Sequence, residues 1–412
     1  MTRLSIPRPR AAARRRTRVT AVVIAATLLL AGCASGAPSG QSSGEASGPE
    51  TAAVATCAAP ALPDGPIDAA DQTGPATACT AESDLHSPAP ATPAMPVTVT
   101  DAQGTEVTVA SADRILALDL SGTLASTVFA LGLGDRVVGR DVSTGFAEAS
   151  DLPLVTQNGH QLNAEAILAL DPTVILTDSS IGPWDVVLQM REVGIPVVVM
   201  PSKRSIGTIG ELVTDVAAAL GVPAEGERLA AEAEAAVEAS TARLHEVADG
   251  ADAPPRMMFL YVRGQANVYY VFGEESGADE LIHALGGIDA AAEAGITGMR
   301  PLTAEAIVTA APDLVLLMSK GLESVGGVDG LLDAVPALAQ TPAGEQRRFV
   351  DMADHEILSF GPDYAAVIDA LGAAVYAPGV GVSGAASAEG DAASGSAAPD
   401  ATPAPAATGA AR

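Results

Sequence analysis

Residues 162–180, LNAEAILALDPTVILTDSS, and residues 302–320, LTAEAIVTAAPDLVLLMSK, are two versions of one unit, 140 positions apart and aligned without a gap. Leu, Ala, Glu, Ala, Ile and Pro fall at identical places, the runs after the proline match in character, and Ser179 aligns with Ser319. This repeat constrains the fold more than any composition figure. Whatever architecture houses one copy must house the other, so two similar lobes are expected. In each copy Asn163 or Thr303 can cap a short helix, with Glu165 or Glu305 in the first turn where the helix dipole favours an acid. A proline then ends the helix and an apolar run follows, so each unit reads as helix, turn, strand.

The surrounding chain keeps that rhythm. VTVTDAQGTEVTVA, from residue 97, is a pair of alternating runs about a Gly turn, the pattern of a hairpin. RILALD (114–119), TVILTD (173–178) and PVVVM (196–200) are short apolar strands separated by helical patterns near 123–132, 164–170, 184–193 and 206–220. Strand and helix in alternation imply parallel sheets with helices on both faces. The rhythm breaks once. Residues 223–251 are rich in Ala, Glu and Arg, open on Pro223 and contain no helix breaker before Gly250, which predicts one helix of about 37 Å at 1.5 Å per residue. A single long helix between two α/β halves is an unusual object.

Charge and composition matter at the ends. Of 22 basic residues, seven (Arg3, Arg8, Arg10, Arg14, Arg15, Arg16, Arg18) precede residue 33, a region with no acid. They lead into VTAVVIAATLLLAGC, an apolar core too short to be a permanent span, followed by small residues: an export signal over 1–32. The triple arginine hints at twin-arginine export, although the rest of that motif is missing. Residues 33–95 and 377–412 are dominated by Ala, Gly, Ser, Pro and Thr, lack apolar periodicity and are expected to form a flexible tether and a disordered tail. Cys57 and Cys79 lie in the tether; they either pair, as exported cysteines do, or stay free thiols, and the sequence leaves both open. The expected units are thus an N-terminal lobe over 96–222, the connecting helix over 223–250 and a C-terminal lobe over 251–376. A net charge of −28 argues against a nucleic-acid partner. The folded stretch holds no Gly-x-Ser-x-Gly elbow, phosphate loop or His-Glu-x-x-His motif, so no enzyme is expected.

Leu30-Ala31-Gly32-Cys33 resembles the lipobox of bacterial lipoproteins, which implies lipidation at Cys33 and an anchor on the extracytoplasmic face of the cell membrane. VTDAQGTEVTV, DRILALD, ALGLGDRVVGRD, AEAILALDPTVIL and GADELIHALGGIDA, in that order, resemble the substrate-binding proteins of ABC importers for iron complexes and cobalamin. That likeness covers about 96–376. It implies the class III periplasmic-binding-protein fold, two Rossmann-like α/β lobes joined by a single long α-helix with the ligand between them. NGHQLNAEAILAL together with FLYVRGQANVYYVFG further resembles the haem-binding lipoproteins of Gram-positive haem importers (HmuT-like). In those, a His and a Tyr from opposite lobes ligate the iron, and an Arg two residues after the Tyr contacts its phenol oxygen. The matching positions are His160, Tyr261 and Arg263. Haem is then cargo rather than catalyst, and the chain is expected to act as a monomer delivering it to a permease dimer. A ferric siderophore or cobalamin is the alternative cargo. The resemblance also implies docking through an acid on each lobe. Asp279 and Glu280 stand in the expected region of the second, while Ser126 stands where a Glu is usual in the first.

The residues support this reading on their own chemistry. His160 lies in a loop ahead of a capped helix, where α/β folds bind ligands. Tyr261 and Arg263, two apart in an apolar strand, share one face, and a guanidinium beside a phenol favours the phenolate, a hard anion suited to ferric iron. The 140-residue offset carries Gly159 and His160 onto Met299 and Arg300, so these are expected on the opposite rim, Met299 against a porphyrin face and Arg300 toward a propionate. Trp184, the only tryptophan, is expected in the cleft wall or in the core.

Overall fold

The computed structural model describes Leu62 and residues 65–80, 88–249 and 253–378. The expected export signal, Cys33, Cys57 and the C-terminal tail lie outside the described residues. The first strand, β1 (Ala76–Ala78), overturns the expectation of a spacer as far as residue 95. It pairs in parallel with Phe349–Met352, a strand more than 270 residues later, and buries Ala69, Ala76 and Ala78 in the C-terminal core. Three links hold this stretch: Ile67 N–H donates to Val247 O at 2.9 Å, the Thr77 hydroxyl to Asp351 Oδ1 at 2.9 Å, and the buried Arg348 to Gly74 O at 3.0 Å. Its side chains are so small that no hydrophobic run advertises it. Cys79, next after β1, is disulfide-bonded.

The N-terminal lobe opens with the expected hairpin, β2 (Val97–Thr100) and β3 (Glu106–Val109). Its turn is closed by the Asp101 carboxylate, which accepts the Gln103 and Thr105 N–H groups at 2.9 Å each. The lobe's core sheet is parallel, with β4 (Ile115–Leu118) and β8 (Val197–Val199) flanking β7 (Val174–Thr177). Every residue of these three strands is buried, as in a sheet covered on both faces. The covering helices are α1 (Thr123–Val128), α2 (Ala164–Ala169), α3 (Trp184–Glu192) and α4 (Ile209–Ala219). A two-residue pair, β5 (Thr156–Gln157) and β6 (Gln161–Leu162), projects beside the sheet.

Pro223 starts the long helix α5 (Pro223–Ala248), whose 26 residues span about 39 Å. Its N-terminal part lies against α4, where Gly226 admits the Ala217 methyl so closely that a Cβ would meet it at 2.3 Å. Leu229 and Ala230 join the N-terminal core, whereas Val237, Leu244 and Val247 join the C-terminal one, so one helix is built into both lobes.

The C-terminal lobe is a seven-stranded mixed sheet. Its other members are β9 (Arg256–Arg263), β10 (Val268–Phe272), β11 (Ile288–Asp289), β12 (Met299–Pro301), β13 (Leu314–Met318) and β14 (Phe349–Met352), ordered β1-β14-β13-β9-β10-β12 with β11 also on β9. The repeat holds in three dimensions: Asn163 and Thr303 both cap their helices, and β7 and β13 begin 140 residues apart. Asp171 and Ala311, also equivalent, both take positive φ, 44° and 39°, just before their prolines. No helix among the described residues is long and apolar enough to cross a membrane.

Candidate functional site

His160 is set by a tight hairpin. Asn158 and Gly159 take φ of 48° and 87° between β5 and β6, the left-handed geometry of such turns, and the chain returns through the exposed His160. Its Nδ1 lies 3.3 Å from Ser143 Oγ. The imidazole pKa is lowered, first by partial burial, then by the charges of Lys320 and Arg263, with Asp354 acting in the opposite sense. All three charges come from the other lobe, each just after or at the end of a strand: Arg263 on β9, Lys320 after β13, Asp354 after β14. His160 therefore faces the C-terminal tips of the second sheet. The neutral imidazole keeps a lone pair free for a metal.

Tyr261 stands at that sheet edge. Alternation along β9 puts Phe259, Tyr261 and Arg263 on one face, opposite Phe272, Tyr270 and Val268 of β10 respectively. Tyr261 stacks with Phe272 at 6.4 Å between ring centroids and 18° between planes. The Arg263 guanidinium carbon sits 4.5 Å from the Tyr261 centroid, a cation–π arrangement. Its nitrogens donate to Val262 O at 2.8 Å and Asp354 Oδ2 at 2.7 Å. The guanidinium thus covers the ring face, a departure from the expected contact with the phenol oxygen. Arg263 links the two: it touches the Tyr261 ring, and its charge is felt at His160 across the lobes.

The rim expectations fare unevenly. Met299 is 53% exposed and pairs with Phe272, so it shares the face of Tyr261 and Tyr270. Arg300 pairs with Val271 and falls on the opposite face of the sheet, which corrects its expected place. A linear offset carried it to the rim; the two-residue period of β12 turns it away. Lys320, ordinary in sequence, is the cation whose charge acts most strongly on His160, ahead of Arg263. Tyr270 also went unnoticed, although the alternation of VYYVF sets it directly across from Tyr261. Trp184 packs, partly buried, against the N-terminal core. Asp279 accepts the N–H groups of Glu275 and Gly277 at 2.9 Å each, and Glu280 accepts that of Gly207 in the other lobe at 3.4 Å, so both carboxylates are engaged while Glu274 and Glu275 are exposed. Ser126 is buried.

Beneath the N-terminal rim lies a cluster absent from every sequence expectation. Asp119 and Asp178 follow β4 and β7 and hold Arg204, whose guanidinium is 2.8 Å from Asp178 and 3.6 Å from Asp119, while Asp141 accepts the Asp119 N–H from the side at 3.0 Å. Burial, then repulsion from Asp141 and Asp178 against the pull of Arg204, raises Asp119 to about 7; burial raises Asp141 to about 6. The lobes touch nearby: the Thr123 hydroxyl donates to Ser359 O at 2.6 Å, and the His355 ring lies over Gly145, where a Cβ would come within 3.1 Å of it. A cavity of 440 Å³ elsewhere, along α5 between Ile206 and His245, contains none of the residues around His160 and Tyr261.

Two lobes on one helix, with charged and aromatic side chains facing each other from strand ends, define a binding protein of the transport type. The periplasmic binding protein family model matches residues 119–355, and the chain belongs to that family. Family membership makes it a transport-binding protein acting outside the cytoplasm, not an enzyme. Within the family it is HmuT-like. It shares 40% identity with the crystal structure of heme binding protein HmuT over 75% of this chain and 99% of that one, with a TM-score of 0.70. It shares 40% with the periplasmic heme-binding protein RhuT from Roseiflexus sp. RS-1, over 64% and 98% of the two chains, with a TM-score of 0.58. The periplasmic heme-binding protein BhuT, solved with two hemes, is 31% identical over 64% and 97%, with a TM-score of 0.57. Solved HmuT variants replace one arginine, one histidine and one tyrosine by alanine, the arginine two positions beyond the tyrosine. No curated protein matches the chain.

Proposed function

We propose that the chain captures ferric haem between its lobes, with His160 and Tyr261 as the axial ligands, and hands it to an ABC permease. The observation that carries this reading is that the charges of Arg263 and Asp354, which surround Tyr261 on one lobe, act on His160 of the other. Imidazole and phenolate are both established axial ligands of haem iron, a hard phenolate oxygen suiting the ferric state. Met299, Tyr270 and Phe272 supply an apolar side, and Lys320 offers a cation to a haem carboxylate. Cys33 would carry the lipid anchor, and the exposed Glu274 and Glu275, beside Asp279 and Glu280, would meet the permease.

The test is spectroscopic. Protein mixed with ferric haem is expected to sharpen the Soret band and to show a charge-transfer band of phenolate ligation. His160→Ala and Tyr261→Ala should each change that spectrum, the second more severely. If both variants keep the wild-type spectrum, the ligand assignment is wrong; if wild type does not bind, haem is not the cargo, and titration with a ferric siderophore or cobalamin tests the alternative. For the anchor, Cys33→Ser should move the protein from the membrane fraction to the medium.

A further inference from the structure

The hydroxyl of Ser143 has one proton, and the structure shows where it goes. Ser143 Oγ donates to Leu120 O at 2.6 Å, a short and committed bond. Toward its second neighbour, His160 Nδ1 at 3.3 Å, the same oxygen is left with lone pairs alone and must accept. The proton in that contact therefore belongs to the imidazole. Neutral His160 then carries hydrogen on Nδ1, which leaves the lone pair on Nε2.

Nothing in the surroundings lets Ser143 drift from this role. Its backbone N–H, that of Thr144 and the Thr144 hydroxyl all donate to Asp141 Oδ1, at 2.8, 2.8 and 3.1 Å, while Asp141 Oδ2 accepts the Asp119 N–H at 3.0 Å. The accepting residue is held as well, since the neighbouring Leu120 N–H donates to Ser180 Oγ at 3.0 Å and Ser180 bonds to Asp178. Ser143 is 8% exposed, so water has little access to replace either bond. The exposed, turn-borne His160 is thereby joined to the rigid tips of β4 and β7.

We infer that Ser143 is a positioning residue that selects the Nδ1–H tautomer of His160 and leaves Nε2 as the bare nitrogen of the ring. The use of that nitrogen as an iron ligand rests on the function proposed above; the tautomer itself does not. A metal-binding histidine whose other nitrogen is tied to a fixed acceptor gains both orientation and basicity, and loss of such a partner costs about 10–100-fold in affinity.

The experiment reads the tautomer directly in the haem-free full chain. With isotope-labelled histidine, long-range proton–nitrogen correlation spectra at a pH where imidazole is neutral distinguish Nδ1–H from Nε2–H, and the signal lost in His160→Gln identifies residue 160. Wild type should show Nδ1 protonated. Ser143→Ala should shift population to the Nε2–H form, and Ser143→Thr, which keeps the hydroxyl, should restore Nδ1–H. Ser143→Ala should also release ferric haem about tenfold faster. An Nε2–H tautomer in wild type, or an unchanged tautomer in Ser143→Ala, overturns the inference without touching the ligand assignment. A haem spectrum indifferent to His160→Ala removes the ligand role while the tautomer result stands.

Discussion

Asp354 does two things at once at the rim: its carboxylate holds the Arg263 guanidinium at 2.7 Å and accepts the Lys320 N–H at 3.1 Å. Freed of that anchor, Arg263 is no longer confined over the Tyr261 ring. Asp354→Ala is accordingly expected to weaken the phenolate charge-transfer band and haem affinity together, as Arg263→Ala should; an unaltered spectrum in Asp354→Ala would show that Arg263 keeps its place unaided. Lys320 acts differently. It is exposed, so its attraction for a haem carboxylate is worth about 1 kcal/mol, or roughly fivefold in affinity, and is screened by salt. Lys320→Ala should show that loss in dilute buffer and much less of it in strong salt. These residues differ in how visible they are before folding. His160, Tyr261 and Arg263 stand in recognisable stretches, but Lys320 is one unremarkable lysine after a strand, and its reach to His160 exists only once the lobes face each other. Arg300 shows the converse error, a cation placed by counting along the chain that the pleat of β12 turns to the other side.

At the level of elements, the repeat was legible because a capped helix, a proline and an apolar strand each leave a local mark. It extends to a feature no residue type announces: Asp171 and Ala311 both end their helices in the left-handed region. Aspartate tolerates that conformation better than alanine, which bears about 1–2 kcal/mol of strain there. Ala311→Gly relieves it, against about 0.5–1 kcal/mol of added backbone entropy, so the variant should gain up to roughly 1 kcal/mol in denaturant unfolding. A loss would mean that the 39° φ is not strained. The strand β1 was illegible for the opposite reason: alanine and threonine occur throughout the neighbouring spacer. What fixes β1 is remote, chiefly Arg348, which is 1% exposed and donates to Gly74 O and Val375 O at 3.0 and 2.8 Å. Arg348→Met removes both bonds, leaving the buried Val375 carbonyl and the half-buried Gly74 carbonyl without this donor, and should cost about 2–4 kcal/mol.

For the whole molecule, two lobes, the α5 bridge and a cleft between strand ends follow from pattern, whereas the way the lobes touch does not. Thr123 and Ser359 are 236 residues apart, and no local signal couples them. The same holds for the buried Asp119–Asp141–Asp178–Arg204 group, assembled from four separate loops with three carboxylates to one guanidinium. Its consequence is a pH dependence of stability whose sign is fixed. Burial and the neighbouring carboxylates push Asp119 from the ordinary 3.8 up to about 7 in the fold, so between these limits the native state binds more protons than the unfolded chain. Unfolding free energy must then fall as pH rises through this window and level off above it, the reverse of an ion-paired aspartate. General repulsion in a chain of net charge −28 has the same sense, so the wild-type slope alone does not isolate the site. Asp119→Asn does. The amide oxygen can still accept the Leu124 N–H, as Asp119 Oδ1 does at 3.4 Å, but it has no proton to lose. Below pH about 4 both proteins are uncharged at this position and should differ little. From there to about 7 the variant should become progressively the more stable, by on the order of a few kcal/mol, and hold that lead at higher pH. Urea melts of the two proteins across this range measure the gap, and a gap that stays constant with pH would mean that the carboxyl at 119 is already ionised throughout.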